Sequence, residues 1–232
     1  MDFDLSVLAR HWPVLVDGAI FTLSVTIVAT VFGVVFGTFL ALTRLSSHRL
    51  LSRISEAYVL FFRSVPLVQV ILIFYLFAPL LAMMFLDRRV ILGAEKSAYF
   101  AFAIFEAADF AEIVRAGIRS VGKGQAPAAR ALGLTDGQAM RHVILPLAFR
   151  NVLPILLTQV IILMQDVSLV YAVGALDFFG AGERIVQIEF RPVEVYLFVA
   201  FVYFIVCFAL SRAVNRLHVR LTLNLSQMGA TS

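Results

Sequence analysis

The segment on which the fold depends runs from Phe105 to Pro146 and reads FEAADFAEIVRAGIRSVGKGQAPAARALGLTDGQAMRHVILP. It is rich in charged residues and lies between long apolar runs, so it could not cross a lipid bilayer as a whole. Gly122 and Gly124 indicate a flexible turn in its middle, and good helix formers follow at 128–132. We therefore expect a loop outside the membrane, held between membrane helices, that contains a short helix.

The composition of the chain is that of an integral membrane protein. Of its 232 residues, 61% are hydrophobic and 15% are charged, whereas soluble domains carry about 45–50% apolar and about 25% charged residues. The net charge of +4 does not indicate nucleic-acid binding, because the cytosolic loops of membrane proteins collect Lys and Arg. A single cysteine and four scattered histidines favour neither a disulfide nor a metal site. We also find no motif for a catalytic nucleophile.

The apolar runs predict an all-α membrane protein whose single transmembrane domain covers residues 1–232. A helix needs roughly 20 apolar residues to cross about 30 Å of hydrocarbon. Five spans are expected, at about 14–43, 56–86, 95–120, 143–166 and 194–215, with the charged loop at about 121–142. The first run is too long for a signal peptide and lacks a basic leader, so we expect it to remain as a span. Asp166 interrupts the fourth run, which predicts a broken helix near 166–168.

The distribution of Lys and Arg predicts the orientation of the chain. Five spans place the two ends on opposite sides of the membrane. The connections at 43–54, 111–150 and 212–220 share one side and hold twelve of the 19 Lys and Arg residues, whereas the other side holds six. Arg63 belongs to neither group. Because cytoplasmic loops are enriched in Lys and Arg, the charged loop and the C-terminus are predicted to be cytoplasmic and the N-terminus to lie outside.

Two glycine patterns allow more than one interpretation. Gly33 and Gly37 form a G-x-x-x-G within the first span, which either packs closely against another helix or arises by chance. Residues 117–124 nearly match a phosphate-binding loop. However, Gly124 stands where that motif needs a hydroxyl, and no strand precedes the first glycine. A flexible turn is therefore favoured over an ATP site.

Three acids mark the third span. Glu106, Asp109 and Glu112 follow one another at intervals of three, so they form one stripe on a helix. A charge at the centre of a bilayer costs about 2.5–3.5 kcal/mol on insertion scales, and it usually indicates a cavity or a partner. We expect a functional or pairing role for Glu106 and Asp109, and a structural pair between Glu112 and Arg115.

The charged loop contains an ordered set of motif residues. They are Pro127-Ala128-Ala129, then Gly133 after three residues, then Val143-Ile144-Leu145-Pro146 after nine more. This pattern resembles the cytosolic signature of the membrane subunits of type I ABC importers, which reads E-A-A, three residues, Gly, nine residues, I-x-L-P. Pro127 replaces the family glutamate and Val143 replaces the family isoleucine.

Further strings extend the resemblance from Gly18 to about Arg212. Those at 62–67, 112–118 and 165–170 are similar to the polar amino acid permeases among these importers. Those at 105–108, 157–159, 165–171 and 177–179 are most similar to the glutamate/aspartate importer permeases of Gram-negative bacteria.

The resemblance implies partners for this chain. A short coupling helix would dock in a groove of a cytoplasmic ABC ATPase dimer, which would bind ATP and Mg; the chain itself would hold no cofactor and would not be an enzyme. The residues expected at this contact are Gln125, Pro127, Ala128, Ala129, Leu132 and Gly133. Proline is tolerated in the first turn of a helix, although any contact of the family glutamate is lost. A second permease chain, as a homologous heteromer or a homodimer, and a periplasmic solute-binding protein complete the importer in the bacterial inner membrane.

The expected function is that of a permease subunit of an ATP-driven amino acid importer, for glutamate or aspartate. Candidate residues of the substrate pathway are Arg63, Gln69, Glu106, Gln159, Gln165, Asp166 and Ser168. Arg63 either contacts a substrate carboxylate or lies at the membrane interface or paired with Glu106. Two alternatives remain at this point: a proton-coupled secondary transporter, with the acid stripe as a proton relay, and a membrane scaffold without transport activity.

Overall fold

The computed structural model describes Asp4, residues 6–86 and residues 92–229, and every regular element in this part of the chain is helical. The α-helices are α1 Ser6–Arg10, α2 Trp12–Arg44, α3 Arg49–Ser64, α4 Leu67–Leu86, α5 Gly93–Ser120, α6 Gln125–Ala131, α7 Asp136–Ala139, α8 Leu145–Asp166, α9 Phe178–Glu189 and α10 Pro192–Gly229. A π-helical turn, Met140–Ile144, joins α7 to α8. The charged residues 87–89, which follow the predicted second span, lie outside the described residues.

Helix α5 lies at the centre of the bundle. Four helical stretches of the described chain are long and apolar enough to cross a membrane: Trp12–Arg44, Leu67–Phe85, Asp136–Val173 and Pro192–Val219. Helix α5 has 28 residues, about 42 Å at 1.5 Å per residue, but its charges exclude it from that group. It packs against α2, α3, α4 and α8, and Phe102, Glu106 and Phe110 are fully buried. A helix enclosed by other helices does not need an apolar surface. This explains why apolarity alone does not identify α5 as a membrane span.

The segment 56–86, predicted as one span, consists of two helices. Helix α3 ends at Ser64, Val65 adopts an extended backbone with φ −108° and ψ 133°, and α4 begins at Leu67. Proline disfavours helical backbone in the residue before it, so Pro66 accounts for the break. Apolar residues lie on both sides of residues 63–66, and apolarity alone therefore does not mark the boundary.

At the predicted break near 166–168 the helix changes type, and the chain leaves the helical path only after Val173. Helix α8 ends at Asp166, and a 3-10 helix, Val167–Val173, follows it. Gly174 then adopts a left-handed backbone with φ +79°, a conformation that glycine enters without steric cost. The chain turns at this point towards α9.

The G-x-x-x-G of α2 is a packing motif. A Cβ atom on Gly33 would lie 2.6 Å from Cδ2 of Phe110, and one on Gly37 would lie 2.8 Å from the backbone nitrogen of Ala111. Both distances are too short for a real contact, so these two glycines allow α2 and α5 to approach closely. Gly117, the first glycine of the apparent phosphate loop, lies inside α5, which agrees with the rejection of an ATP site there.

We expect Gly37→Leu to destabilise the protein by about 1–3 kcal/mol, the usual effect of overpacking a close contact. The loss should occur although leucine is the better helix former. Val35→Leu is the matched control, because Val35 lies on the same helix and is 68% exposed. Thermal unfolding in detergent would measure both, and equal melting temperatures for the two variants would contradict the packing role.

Candidate functional site

The short helix α6 is closed at its C-terminal end by Gly133. The N–H of Gly133 donates to the carbonyl of Arg130 at 2.9 Å, and that of Leu134 donates to the carbonyl of Ala129 at 3.2 Å. Gly133 has φ +85°. Together these features form a Schellman motif, which satisfies the last carbonyls of a helix and ends it.

Proline at position 127 removes no hydrogen bond from α6. Pro127 is the third residue of the helix, where a backbone N–H has no intrahelical acceptor. The first such bond is made by Ala128, whose N–H donates to the carbonyl of Gly124 at 3.0 Å. The replacement of the family glutamate by proline is therefore compatible with the helix.

Most of α6 is exposed. Ala129 is buried, whereas Gln125, Pro127 and Ala128 are exposed and Leu132 is 83% exposed. The helix contacts α7 and the π-helical turn, which lead directly into α8. An exposed apolar surface on a short element beside a membrane bundle is typical of a site that binds another protein.

Helices α3, α5 and α8 bring four of the seven candidate pathway residues together, and Arg63 stands at the exposed edge of this group. Nε of Arg63 donates to Oδ1 of Asp109 at 3.0 Å, and Nε2 of Gln159 donates to Oε2 of Glu106 at 3.1 Å. Asp166, at the end of α8, lies close enough to act electrostatically on Glu106 and Asp109. These five residues form the polar cluster of the bundle.

The alternative that pairs Arg63 with Glu106 is wrong, because the partner of Arg63 is Asp109. Residues three apart differ by about 60° around a helix of 3.6 residues per turn, so the acid stripe turns progressively across α5. Glu106 therefore reaches α8, and Asp109 reaches α3.

The third acid of the stripe contacts two arginines. Glu112 accepts a hydrogen bond from Nη1 of Arg44 on α2 at 2.8 Å, and it also pairs with Arg115. The expected pair of Glu112 and Arg115 is thus confirmed. No pattern in the sequence pointed to Arg44, since it lies 68 residues away in a connection where basic residues are common.

Gln165 and Ser168 lie at a separate open cavity of about 560 Å³ between α8, α9 and α10. Gln165 also donates to Sγ of Cys207 at 3.3 Å. The other residues around the cavity are Phe179, Tyr196, Val199, Ala200 and Tyr203. Sequence reasoning missed these residues, because aromatic side chains in membrane helices carry no distinguishing spacing. Gln69 is exposed on α4 and lies in neither group.

Comparison with known proteins identifies the family of this helical bundle. The family model described as the binding-protein-dependent transport system inner membrane component matches residues 33–223. The chain belongs to this family. It is a membrane-spanning permease subunit of an ABC importer, as the motifs of the charged loop indicated.

Individual relatives are similar in sequence to this permease over nearly its whole length. The glutamate/aspartate import permease protein GltK of Escherichia coli O6:H1 is 44% identical over 224 residues, which cover 94% of this chain and 98% of that protein. The L-cystine transport system permease protein TcyL of Bacillus subtilis is 33% identical over 205 residues, or 88% of this chain and 85% of that protein.

Solved structures show the same fold. A crystal structure of an amino acid ABC transporter with histidines has a TM-score of 0.82 and 31% identity, and the match covers 95% of this chain and 100% of that one. The MetNI methionine ABC transporter in an inward-facing conformation has a TM-score of 0.67 at 24% identity, a likeness of fold alone.

These findings confirm the expected all-α membrane fold and favour the ABC permease over both alternatives, the secondary transporter and the scaffold. Members of the family are transport components rather than enzymes. Membership implies an ATPase and a binding protein as partners, and a multi-pass location in the inner membrane.

We expect a double-mutant cycle of Arg63→Ala and Asp109→Ala to give a coupling energy of up to about 1 kcal/mol, the usual range for partly exposed ion pairs. The cycle would be measured by thermal unfolding in detergent. Its control is the cycle of Arg63→Ala with Glu106→Gln, because Glu106 binds Gln159 instead. That control should be additive within about 0.5 kcal/mol, and a larger coupling there than with Asp109 would refute the assigned pairing.

Proposed function

We propose that this permease forms half of the membrane pathway of an ATP-driven importer for acidic amino acids, glutamate or aspartate. The observation that carries the proposal is the 44% identity to a glutamate/aspartate import permease across 94% of the chain. The substrate would come from a periplasmic binding protein and pass along the cavity beside Gln165 and Ser168. A second permease chain, homologous but not identical, would form the other half.

The polar cluster is a poor site for a substrate carboxylate in this conformation. Its single cation, Arg63, already binds Asp109, and neither Glu106 nor Asp166 supplies a positive charge. We therefore assign selection of the dicarboxylate to the binding protein and to the second permease chain. Gln165 and Ser168 would supply neutral hydrogen-bonding groups along the path.

Helix α6 would act as the coupling helix. Its exposed surface, from Pro127 to Leu132, would dock in a groove of the ATPase dimer, which binds ATP and Mg. Because α6 lies between α5 and α8 in the chain, closure of the ATPase would move these two helices together with it. A rearrangement of this kind requires contacts that differ between two discrete states.

Gly133→Arg should abolish ATP-dependent uptake by the reconstituted importer while leaving the chain inserted. An arginine at the end of α6 would block docking, and the left-handed backbone adds a strain of about 1–2 kcal/mol. Uptake of radiolabelled glutamate into vesicles that contain ATP would measure this, and unlabelled aspartate should compete better than glutamine or arginine.

The matched control for this test is Gly93→Arg. Gly93 also has a positive φ, +69°, and, as at Gly133, no atom lies within 4 Å of a Cβ built on it. It lies at the opposite end of α5, away from the loop. Equal uptake by the two variants would refute the coupling role, and uptake of glutamine in preference to glutamate would refute the substrate.

The charged loop and the C-terminus are proposed to be cytoplasmic, and the N-terminus periplasmic. In a Cys207→Ser background, Lys123→Cys should react with a membrane-impermeant maleimide only in inverted membranes. Gln187→Cys, exposed on α9, should react in spheroplasts. The reverse pattern of labelling would contradict the orientation.

A further inference from the structure

Two buried side-chain oxygens in the described part of the chain have no hydrogen-bond partner. They are Oε1 of Glu106 and Oγ1 of Thr30. Buried polar atoms are normally paired, since one left unpaired costs about 1–3 kcal/mol. Glu106 is fully buried, so solvent does not satisfy its second oxygen. Both oxygens therefore need a physical explanation.

Glu106 lies in a thin polar layer between two apolar clusters. Its partner is Gln159, and the two residues come from α5 and α8. The residues one helical turn away on these helices are buried and apolar. Phe102 and Leu163 belong to one apolar cluster, and Phe110 and Leu156 belong to the other.

Thr30 lies on α2, a helix that packs closely against this part of α5. Gly33, one turn after Thr30, packs against the backbone of Glu106, because a Cβ on Gly33 would lie 3.5 Å from the carbonyl carbon of Glu106. Ala29 joins one of the two apolar clusters and Val34 packs against the other. We call Thr30, Glu106 and Gln159 the polar layer.

The hydroxyl of Thr30 differs from the other threonine hydroxyls of α2. Thr22, Thr26 and Thr38 each donate to the carbonyl four residues earlier. Oγ1 of Thr30 makes no such bond. The hydroxyl of Thr30 is thus not bound to the backbone of α2, and its oxygen is available as an acceptor within the polar layer.

The charges around Glu106 do not neutralise it. Helix α3 contributes Arg63, which is bound to Asp109, and α8 contributes Asp166, a like charge. The charged residues of α2 are Asp17 and Arg44, near its two ends, and α4 contains none. An ionised carboxylate buried without a cation carries a penalty of several kcal/mol, and such groups take up a proton instead.

We propose that Glu106 is a proton-binding site and is a neutral carboxylic acid in this conformation. Oε2 accepts the hydrogen bond from Gln159. Oε1 carries the proton, and we assign the hydroxyl of Thr30 as its acceptor. This bond requires a rotation of the two side chains, because the structure shows both oxygens unpaired. A single proton thus satisfies both orphan oxygens and removes the uncompensated charge. This is not a proton relay, because the next acid, Asp109, is held by Arg63.

The site links protonation to the motion of the bundle. Glu106 and Gln159 join α5 to α8, the two helices that lead into the charged loop. When these helices separate, water reaches Glu106, and a hydrated glutamate is ionised at neutral pH. Rising pH then favours the separated state. This last step rests on the proposed function, whereas the protonation of Glu106 does not.

Infrared spectroscopy of the complete importer in lipid nanodiscs tests the protonation directly. At neutral pH we expect the carbonyl band of a protonated carboxylic acid, which shifts in heavy water. Glu106→Gln, the uncharged isostere of the protonated acid, should lose this band. Asp109→Asn is the matched control and should keep it, because Asp109 is paired with Arg63.

A second variant keeps the test decisive if Glu106→Gln folds poorly. Thr30→Val removes the acceptor without changing the shape of the side chain, so the band should remain and move to higher frequency. Absence of the band from the wild type, or its survival in folded Glu106→Gln, would overturn the proposal. So would an unchanged frequency in Thr30→Val.

The proposed link between protonation of Glu106 and the motion of α5 and α8 is tested by a separate measurement. ATP hydrolysis by the importer should increase with pH in the wild type, and Glu106→Gln should lose this part of the pH profile. If the band is present but the two pH profiles coincide, the link between Glu106 and the motion of α5 and α8 is refuted, and the proton-binding site stands.

Discussion

The constraint on which this structure depends is the enclosure of a charged helix by protein inside a membrane. Helix α5 packs against α2, α3, α4 and α8, and its three central acids find their partners on neighbouring helices rather than in lipid. Glu106 is fully buried, whereas the side chains of Asp109 and Glu112 are 25% and 26% exposed. The three acids find these partners in three directions, towards Gln159 on α8, Arg63 on α3 and Arg44 on α2. Specific side-chain contacts thus fix the rotation of α5 about its own axis.

The close approach of α2 makes this enclosure possible. Gly33 and Gly37 remove the side chains that would hold the two helices apart, and dispersion contacts along the seam replace the hydrophobic effect that is absent within lipid. Towards the loop, α5 and α8 continue into the segment that presents α6. The buried centre of α5 is therefore connected through the chain to the exposed helix α6.

Much of this architecture follows from the sequence, and the exceptions have physical causes. The apolar runs predicted membrane helices at α2, α4, α8 and α10, and Asp166 predicted where α8 ends. The stop at Pro66 was overlooked because apolar residues lie on both sides of residues 63–66. The partner of Arg63 depends on how far α5 rotates relative to α3, a property of the assembled bundle that spacing along one helix does not contain. The G-x-x-x-G remained ambiguous for a related reason, since a sequence does not tell whether a face meets lipid or protein. The aromatic residues around the cavity were missed because they are as frequent on lipid-facing helices as around a cavity.

The end of α6 is set by one torsion angle. Gly133 has a left-handed backbone and no close neighbours, so nothing in the surrounding packing forces the chain to turn there. The length of α6 is consequently encoded locally, by the absence of a single Cβ atom. Residues elsewhere in the loop can then vary without lengthening the helix, so a proline at position 127 changes the surface of α6 and leaves its extent unchanged.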